Sequence, residues 1–258
     1  MERPSSAATT IDGKAIDAVL FDLDGVLTPT AEIHERAWKS MFDDFLAARA
    51  PGEAWKPFSA DDYLAYVDGK RRVDGVRSFI TSRGIELPEG TLDDEPGHDT
   101  VNALGNAKNA AFQTVLRRDG IAPYPGSIRF LDTLEQRRVP VGVVSSSRNA
   151  VEVLDAAGLT DRFVVVVDGN VAGARKLPGK PAPDTFLAAA DELGVAAERT
   201  AVVEDAISGV AAGHAGGFAL TVGVDRGAGH EALLGHGADL VVDDLAELDE
   251  LLSTGDDR

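Results

Sequence analysis

Short unbroken runs of apolar residues alternate along the chain with longer segments in which apolar side chains return every three or four positions. The runs Ala18–Phe21, Val139–Val144, Val164–Val167, Ala201–Val203, Phe218–Val222 and Leu240–Val242 predict buried strands. Between them, Ser127–Arg138, Ala150–Ala157, Pro183–Leu193 and Ile207–Ala215 carry the helical period. Strands apolar on both faces, alternating with helices, predict a parallel sheet covered on each side. The expected fold class is therefore α/β, a doubly wound, Rossmann-like core.

One region breaks this rhythm. From Thr30 to Ala122 only helical patterns occur: Glu32–Ala48, Asp61–Val67, Arg72–Ser82 and Thr100–Asp119. Loops rich in Pro, Gly and acids separate them, among them Pro88–His98, and Ala122-Pro123-Tyr124-Pro125-Gly126 has the turn chemistry of a hinge. The pattern predicts residues 1–29 and 123–258 as the core and 30–122 as an inserted helical cap of four helices. An insertion after the first core strand lies over the crevice where open α/β sheets bind ligands.

Composition narrows the function. Forty-three acidic against 25 basic residues give a net charge of −18, which argues against nucleic acid or an anionic membrane as partner. An anionic substrate would then need local cations, from a metal or clustered Lys and Arg. The chain has no cysteine, which removes disulfides, thiolate metal sites and a Cys nucleophile, and it fits a cytoplasmic protein. Met1–Lys14, rich in Ser, Ala and Thr, is expected to be a frayed tail rather than a signal peptide. No stretch reaches the ~20 apolar residues of a membrane span.

Candidate chemistry collects at predicted strand ends. After Phe21, Asp22 and Asp24 sit on alternate positions, so both can address one site, and Gly25 permits a sharp turn. Close carboxylates repel, which favours one ionised and one protonated. Ser145, Ser146, Ser147, Arg148 and Asn149 follow another strand, where hydroxyls and free N–H groups suit phosphate oxygens or simply cap a helix. Lys180 lies between Gly179 and Pro181-Ala182-Pro183, and Glu204-Asp205 close a third strand. Each feature alone has an ordinary structural explanation; four in this order at strand ends point to one site.

Asp22 with Asp24-Gly25, Ser145, Lys180 and Glu204-Asp205 resemble the four motifs of the haloacid dehalogenase superfamily of aspartyl phosphotransferases. Thr30-Ala31-Glu32, His34, Arg36-Ala37-Trp38-Lys39, Gly69, Arg72 and Lys108-Asn109 extend the likeness to the β-phosphoglucomutase-like family. Pro29 and Gly75 depart from that family's pattern, which has an acid and a hydroxyl residue there.

The resemblance implies Asp22 as the nucleophile and Asp24 as general acid and base. It implies Mg²⁺ held by Asp22, Asp24 through its carbonyl, Glu204 and Asp205, with Ser145 and Lys180 on the transferring phosphoryl group. Arg72, with Ser147, Arg148 and Asn149, would bind the other phosphate; Gly69 would allow close backbone approach, Lys108 and His34 would lie near the acids, and Trp38 would face the sugar. The implied substrate is a small phosphorylated sugar, handled by a monomer that interconverts β-glucose 1-phosphate and glucose 6-phosphate. The alternatives are a sugar phosphatase, and a regulatory protein that keeps the fold without turnover.

Overall fold

The computed structural model describes residues 9–49 and 55–254. Two short strands, β1 (Thr9–Ile11) and β2 (Lys14–Ile16), precede β3 (Ala18–Phe21). Next come α1 (Thr30–Arg49), α2 (Ala60–Asp62) continuing into the π-helical turn Tyr63–Val67, α3 (Arg72–Ser82) and α4 (Val101–Asp119). The chain then runs through α5 (Pro125–Gln136), β4 (Val141–Val144), α6 (Ala150–Ala156), β5 (Val165–Val167), α7 (Gly169–Arg175) and α8 (Asp184–Leu193). It ends with β6 (Thr200–Glu204), α9 (Ile207–Ala215), β7 (Leu220–Val224), α10 (His230–Gly235), β8 (Leu240–Val242), α11 (Leu248–Leu251) and β9 (Leu252–Thr254).

Six strands form one parallel sheet in the order β5-β4-β3-β6-β7-β8. The order reverses direction beside β3, which makes its carboxyl end a topological switch point. β3, β4, β6 and β7 are buried along their whole length, as their unbroken apolar sequences require. Phe21 and Phe130 meet edge to face on one side of the sheet, while Phe186 and Phe218 do so on the other.

The helices inserted after β3 have their own apolar cluster, built on Trp38, Phe42, Phe45, Phe58, Phe79 and Leu104. Ile33 and Ala37 of α1 and Phe112 and Leu116 of α4 instead join the main core. The insert is thus bolted to the sheet through the inner halves of its two longest helices.

Three expectations change. Residues 9–14 of the expected tail are ordered: β1 pairs with β2 and β9, and Ile11 and Ile16 are buried against Leu252, while residues 1–8 lie outside the described residues. Pro125 and Gly126 open α5 rather than extending a hinge, since proline suits the first helical turn. The predicted helix over Asp61–Val67 widens to π geometry after Asp62, where the Ser59 and Asp62 side chains form a capping box. Among the described residues no helix is long and apolar enough to cross a membrane.

Candidate active site

Adjacent strands β4, β3 and β6 end side by side, so the residues at and just beyond their ends meet: Ser145, Asp22 and the Glu204-Asp205 pair. The Asp22 N–H continues the ladder to the Val203 carbonyl at 2.9 Å, fixing the point where the side chain leaves the sheet. Lys180 enters from the loop before α8. Its Nζ lies 2.5 Å from Asp22 Oδ1, donates to the Val144 carbonyl at 3.2 Å, and bonds Glu204 Oε1. Asp22 Oδ2 accepts from the Asp24 N–H at 2.9 Å. Gly25, at φ +88°, turns the chain so tightly beside the Asp205 carboxyl that a Cβ would overlap it.

All of these side chains are buried, and their charges do not balance. Burial pushes the Asp22 carboxyl well above its usual range; Lys180 opposes this, while Glu204 and Asp24 add repulsion. Asp205 is raised too, by burial and then by Asp68, Glu204 and Asp22. Burial draws the Lys180 ammonium down, but Asp22 and Glu204 outweigh it and hold its pKa above the ordinary value. Asp22, Glu204 and Asp205 each bring a carboxylate oxygen within 4.8 Å of the others. Three buried hard ligands sharing one ammonium form a site that a divalent cation fits.

Asp24 turns toward the helical insert. Thr30 Oγ1 donates to its Oδ1, His34 Nε2 lies 3.3 Å from the same oxygen, and Ser145 Oγ lies 3.5 Å from Oδ2. His34 Nδ1 is hydrogen-bonded to Lys108 Nζ, and the imidazole stacks on Phe112 with centroids 4.0 Å apart. Burial would raise the Asp24 pKa, but His34, Thr30 and Lys108 bring it down to about 2. Burial lowers Lys108 to about 7, with Arg72 adding to the effect and Asp24 opposing it. His34 is lowered by burial and by Lys108. The two acids are therefore split in proton affinity, and Asp24 is the more acidic because its neighbours are cations and donors.

Gly69 and Arg72 of the insert line the same cavity as these two acids. Burial, then Arg148, lowers the Arg72 guanidinium to about 10, and its Nη2 donates to Asn106 Oδ1 at 3.1 Å. Trp38, Ser147, Arg148, Asn149 and Lys108 line the same cavity as Asp22 and Asp24. Lys108 Nζ sits 5.1 Å from the Trp38 ring centroid, so this tryptophan also supports a cation.

Two residues expected on a phosphate are engaged elsewhere. Ser146 Oγ donates to the Gly69 carbonyl at 2.8 Å, and Asn149 Nδ2 donates to Asn109 Oδ1 at 2.7 Å, each joining the core to the insert. Ser145 Oγ accepts from the Ser147 N–H at 3.1 Å and shapes the loop as well as facing Asp24.

Sequence reasoning overlooked Asp68 and Tyr63, which line the cavity beside Glu204 and Asp205. Burial and then Glu204 raise Asp68 to about 7, while a bond with the Tyr63 side chain opposes the rise. An acid directly before Gly69 in a basic stretch was the available signal. A second trio, Asp225, His230 and Asp243, lies at the surface, where His230 Nε2 meets Asp243 Oδ1 at 2.8 Å as an ordinary ion pair.

Fold and site together define a doubly wound α/β enzyme with an acidic centre at the carboxyl ends of its strands and a helical roof bearing cations. The family model for haloacid dehalogenase-like hydrolases matches residues 16–217, and the chain belongs to that family. It is 53% identical over 240 residues to a β-phosphoglucomutase of Mycobacterium bovis, covering 90% of this chain and 91% of that one. It is 32% identical over 234 residues to the β-phosphoglucomutase of Bacillus subtilis, covering 90% and 91%. A crystal structure of β-phosphoglucomutase from Clostridium difficile shares the fold, with a TM-score of 0.70 at 24% identity over 90% of this chain and 93% of that one.

Proposed function

We propose that this chain is a β-phosphoglucomutase that interconverts β-glucose 1-phosphate and glucose 6-phosphate through a phosphoryl group carried on Asp22. Residues 30–122 act as the cap and the remainder as the core. The observation that carries the reading is the pairing of Asp22 with Lys180 beside a cavity that Arg72 and Lys108 also line. A buried carboxylate beside an ammonium suits attack on phosphorus, and further cations lining the cavity suit a second phosphate on the same sugar.

In the proposed reaction an Asp22 oxygen forms the bond to phosphorus as the sugar oxygen departs with the bond's electron pair. Lys180 and Ser145 hold the phosphoryl oxygens during transfer. In the return step a sugar hydroxyl attacks the aspartyl phosphate and gives its proton to Asp24, which enters as the ionised form its low pKa favours. Asp24 returns that proton to the departing oxygen when the next group is transferred. Mg²⁺ fits the buried Asp22, Glu204 and Asp205 set, with the Asp24 carbonyl as a further ligand, and supplies charge neutralisation for phosphate when bound. Arg72, Ser147 and Arg148 anchor the phosphate that is not transferred, Asn149 being engaged with Asn109, and Trp38 and His34 border the sugar. The reading takes the protein as a cytoplasmic monomer.

A sugar phosphatase would share the first transfer and use water for the second. Gly75 favours that outcome, because a hydroxyl residue of the family's pattern is missing there. The test mixes enzyme, Mg²⁺, β-glucose 1-phosphate and a trace of the 1,6-bisphosphate. Glucose 6-phosphate far exceeding inorganic phosphate supports the mutase; stoichiometric phosphate without glucose 6-phosphate establishes the phosphatase.

A further inference from the structure

Two core hydroxyls reach across the crevice to neighbouring carbonyls of one cap loop. Ser146 Oγ, from the loop after β4, donates to the Gly69 carbonyl at 2.8 Å. Ser208 Oγ, from the first turn of α9, donates to the Asp68 carbonyl at 3.2 Å. These contacts join segments 77 and 140 residues apart in the chain. We propose that Ser146 and Ser208 form a two-point latch that holds cap loop 68–72 closed and thereby makes the phosphoenzyme choose a sugar hydroxyl over water. The proposal rests on the mutase reading above.

The latch is placed to do this. Ser146 directly follows Ser145, and Ser208 lies four residues beyond Glu204, so each hydroxyl is tied to a catalytic segment. On the cap side the same loop carries Asp68 and leads into Arg72, both of which line the cavity. The loop fits closely: Gly69 has φ +66°, and a Cβ there would lie 2.9 Å from the Ala206 Cβ and closer still to Ser208 Oγ. Both hydroxyls belong to core elements and both carbonyls to the cap, so opening the cap breaks both bonds together. Core and cap share a further contact, Asn149 Nδ2 to Asn109 Oδ1, so closure does not depend on the latch alone.

The chemistry explains why a weak latch suffices. A neutral hydrogen bond shifts an equilibrium by roughly fivefold, so two shift the closed fraction by roughly twenty-five-fold if they act independently. Sugar bisphosphate closes the loop through its own phosphate on Arg72. Water brings no such binding energy and reaches Asp22 only when the loop is open. Serine hydroxyls on carbonyls carry no charge, so the latch does not compete with Arg72 for phosphate.

The experiment compares wild type with Ser208→Ala, Ser146→Ala and the double variant. Hydrogen exchange of the amides in residues 68–72 is read on the protein alone. The ratio of inorganic phosphate to glucose 6-phosphate is then read with Mg²⁺, β-glucose 1-phosphate and a trace of 1,6-bisphosphate. The proposal expects about fivefold faster exchange in each single variant, more in the double variant, and a matching rise in the ratio. Exchange that stays at the wild-type rate overturns the latch whatever the activity does. Faster exchange with an unchanged ratio overturns its role in choosing the acceptor. A wild type that makes phosphate and no glucose 6-phosphate refutes the mutase reading and with it acceptor choice, while exchange still decides the latch.

Discussion

Lys180 Nζ sits between Asp22 Oδ1, 2.5 Å away, and Glu204 Oε1, bridging the ends of β3 and β6 with all three side chains buried. One ammonium thus holds the proposed nucleophile and a proposed metal ligand in one frame. Removing one partner of a buried ion pair costs about 3–5 kcal/mol, because the remaining charge has no solvent. Lys180→Met is expected to lose at least about a hundredfold in kcat and to lower Tm in chelator. Mg²⁺ should restore part of that Tm but little kcat. A variant with wild-type Tm in chelator would show that the bridge carries no such load.

Metal binding is expected to couple to folding through the Asp22, Glu204 and Asp205 cluster. A ligand that binds only the folded state at a hundred times its Kd stabilises by about 2.7 kcal/mol. Tm should therefore rise with Mg²⁺ and fall back with chelator, and Asp205→Asn should blunt the rise. Calorimetry at several Mg²⁺ concentrations checks this. Full turnover after exhaustive chelation would contradict it.

Lys108 has a pKa of about 7, far below the usual lysine value, and it faces His34, Asp24 and Arg72. Between about pH 7 and the unfolded value near 10.5 the unfolded chain binds more protons at this residue, so its contribution to stability rises with pH. Below pH 7 the cost of burying the charged form is fully present. Lys108→Met removes this contribution, so the wild-type minus variant difference in unfolding free energy should climb from pH 7 toward pH 10. A flat difference would show an unperturbed lysine.

Gly75 lies in α3 against Val67 and Trp38, and a Cβ there would meet them at 3.2–3.4 Å. Gly75→Ser restores the hydroxyl of the family's pattern but presses on both side chains, so it should cost about 1–3 kcal/mol by overpacking. KM for the sugar phosphate should change through Trp38. Denaturant unfolding and steady-state kinetics read the two effects separately, and an unchanged midpoint would mean that Trp38 yields freely.

The main sheet was legible in the sequence because burial on both faces leaves unbroken apolar runs; Ala18–Phe21 and Leu240–Val242 have the predicted bounds. The sheet of β1, β2 and β9 was not, since three-residue strands carry no period and β9 comes from the far end of the chain. α7, with sequence Gly-Asn-Val-Ala-Gly-Ala-Arg, was missed because glycines mask its helical pattern; its cap is the Asp168 side chain bonding the N–H groups of Asn170 and Val171. Asp22, Asp24, Lys180, Glu204 and Asp205 converge because each follows or faces a strand end, which local pattern reveals. The engagement of Ser146 and Asn149 with the insert depends on partners 77 and 40 residues away, which no local pattern encodes.

Asp22 is the proposed carrier of the phosphoryl group. The direct measurement is rapid quench of the enzyme with Mg²⁺ and the 1,6-bisphosphate, followed by peptide mass spectrometry with and without hydroxylamine. One phosphoryl adduct is expected on the peptide containing Asp22, released by hydroxylamine, and absent together with turnover in a folded Asp22→Asn variant. An adduct on another residue, or wild-type turnover in Asp22→Asn, would contradict it.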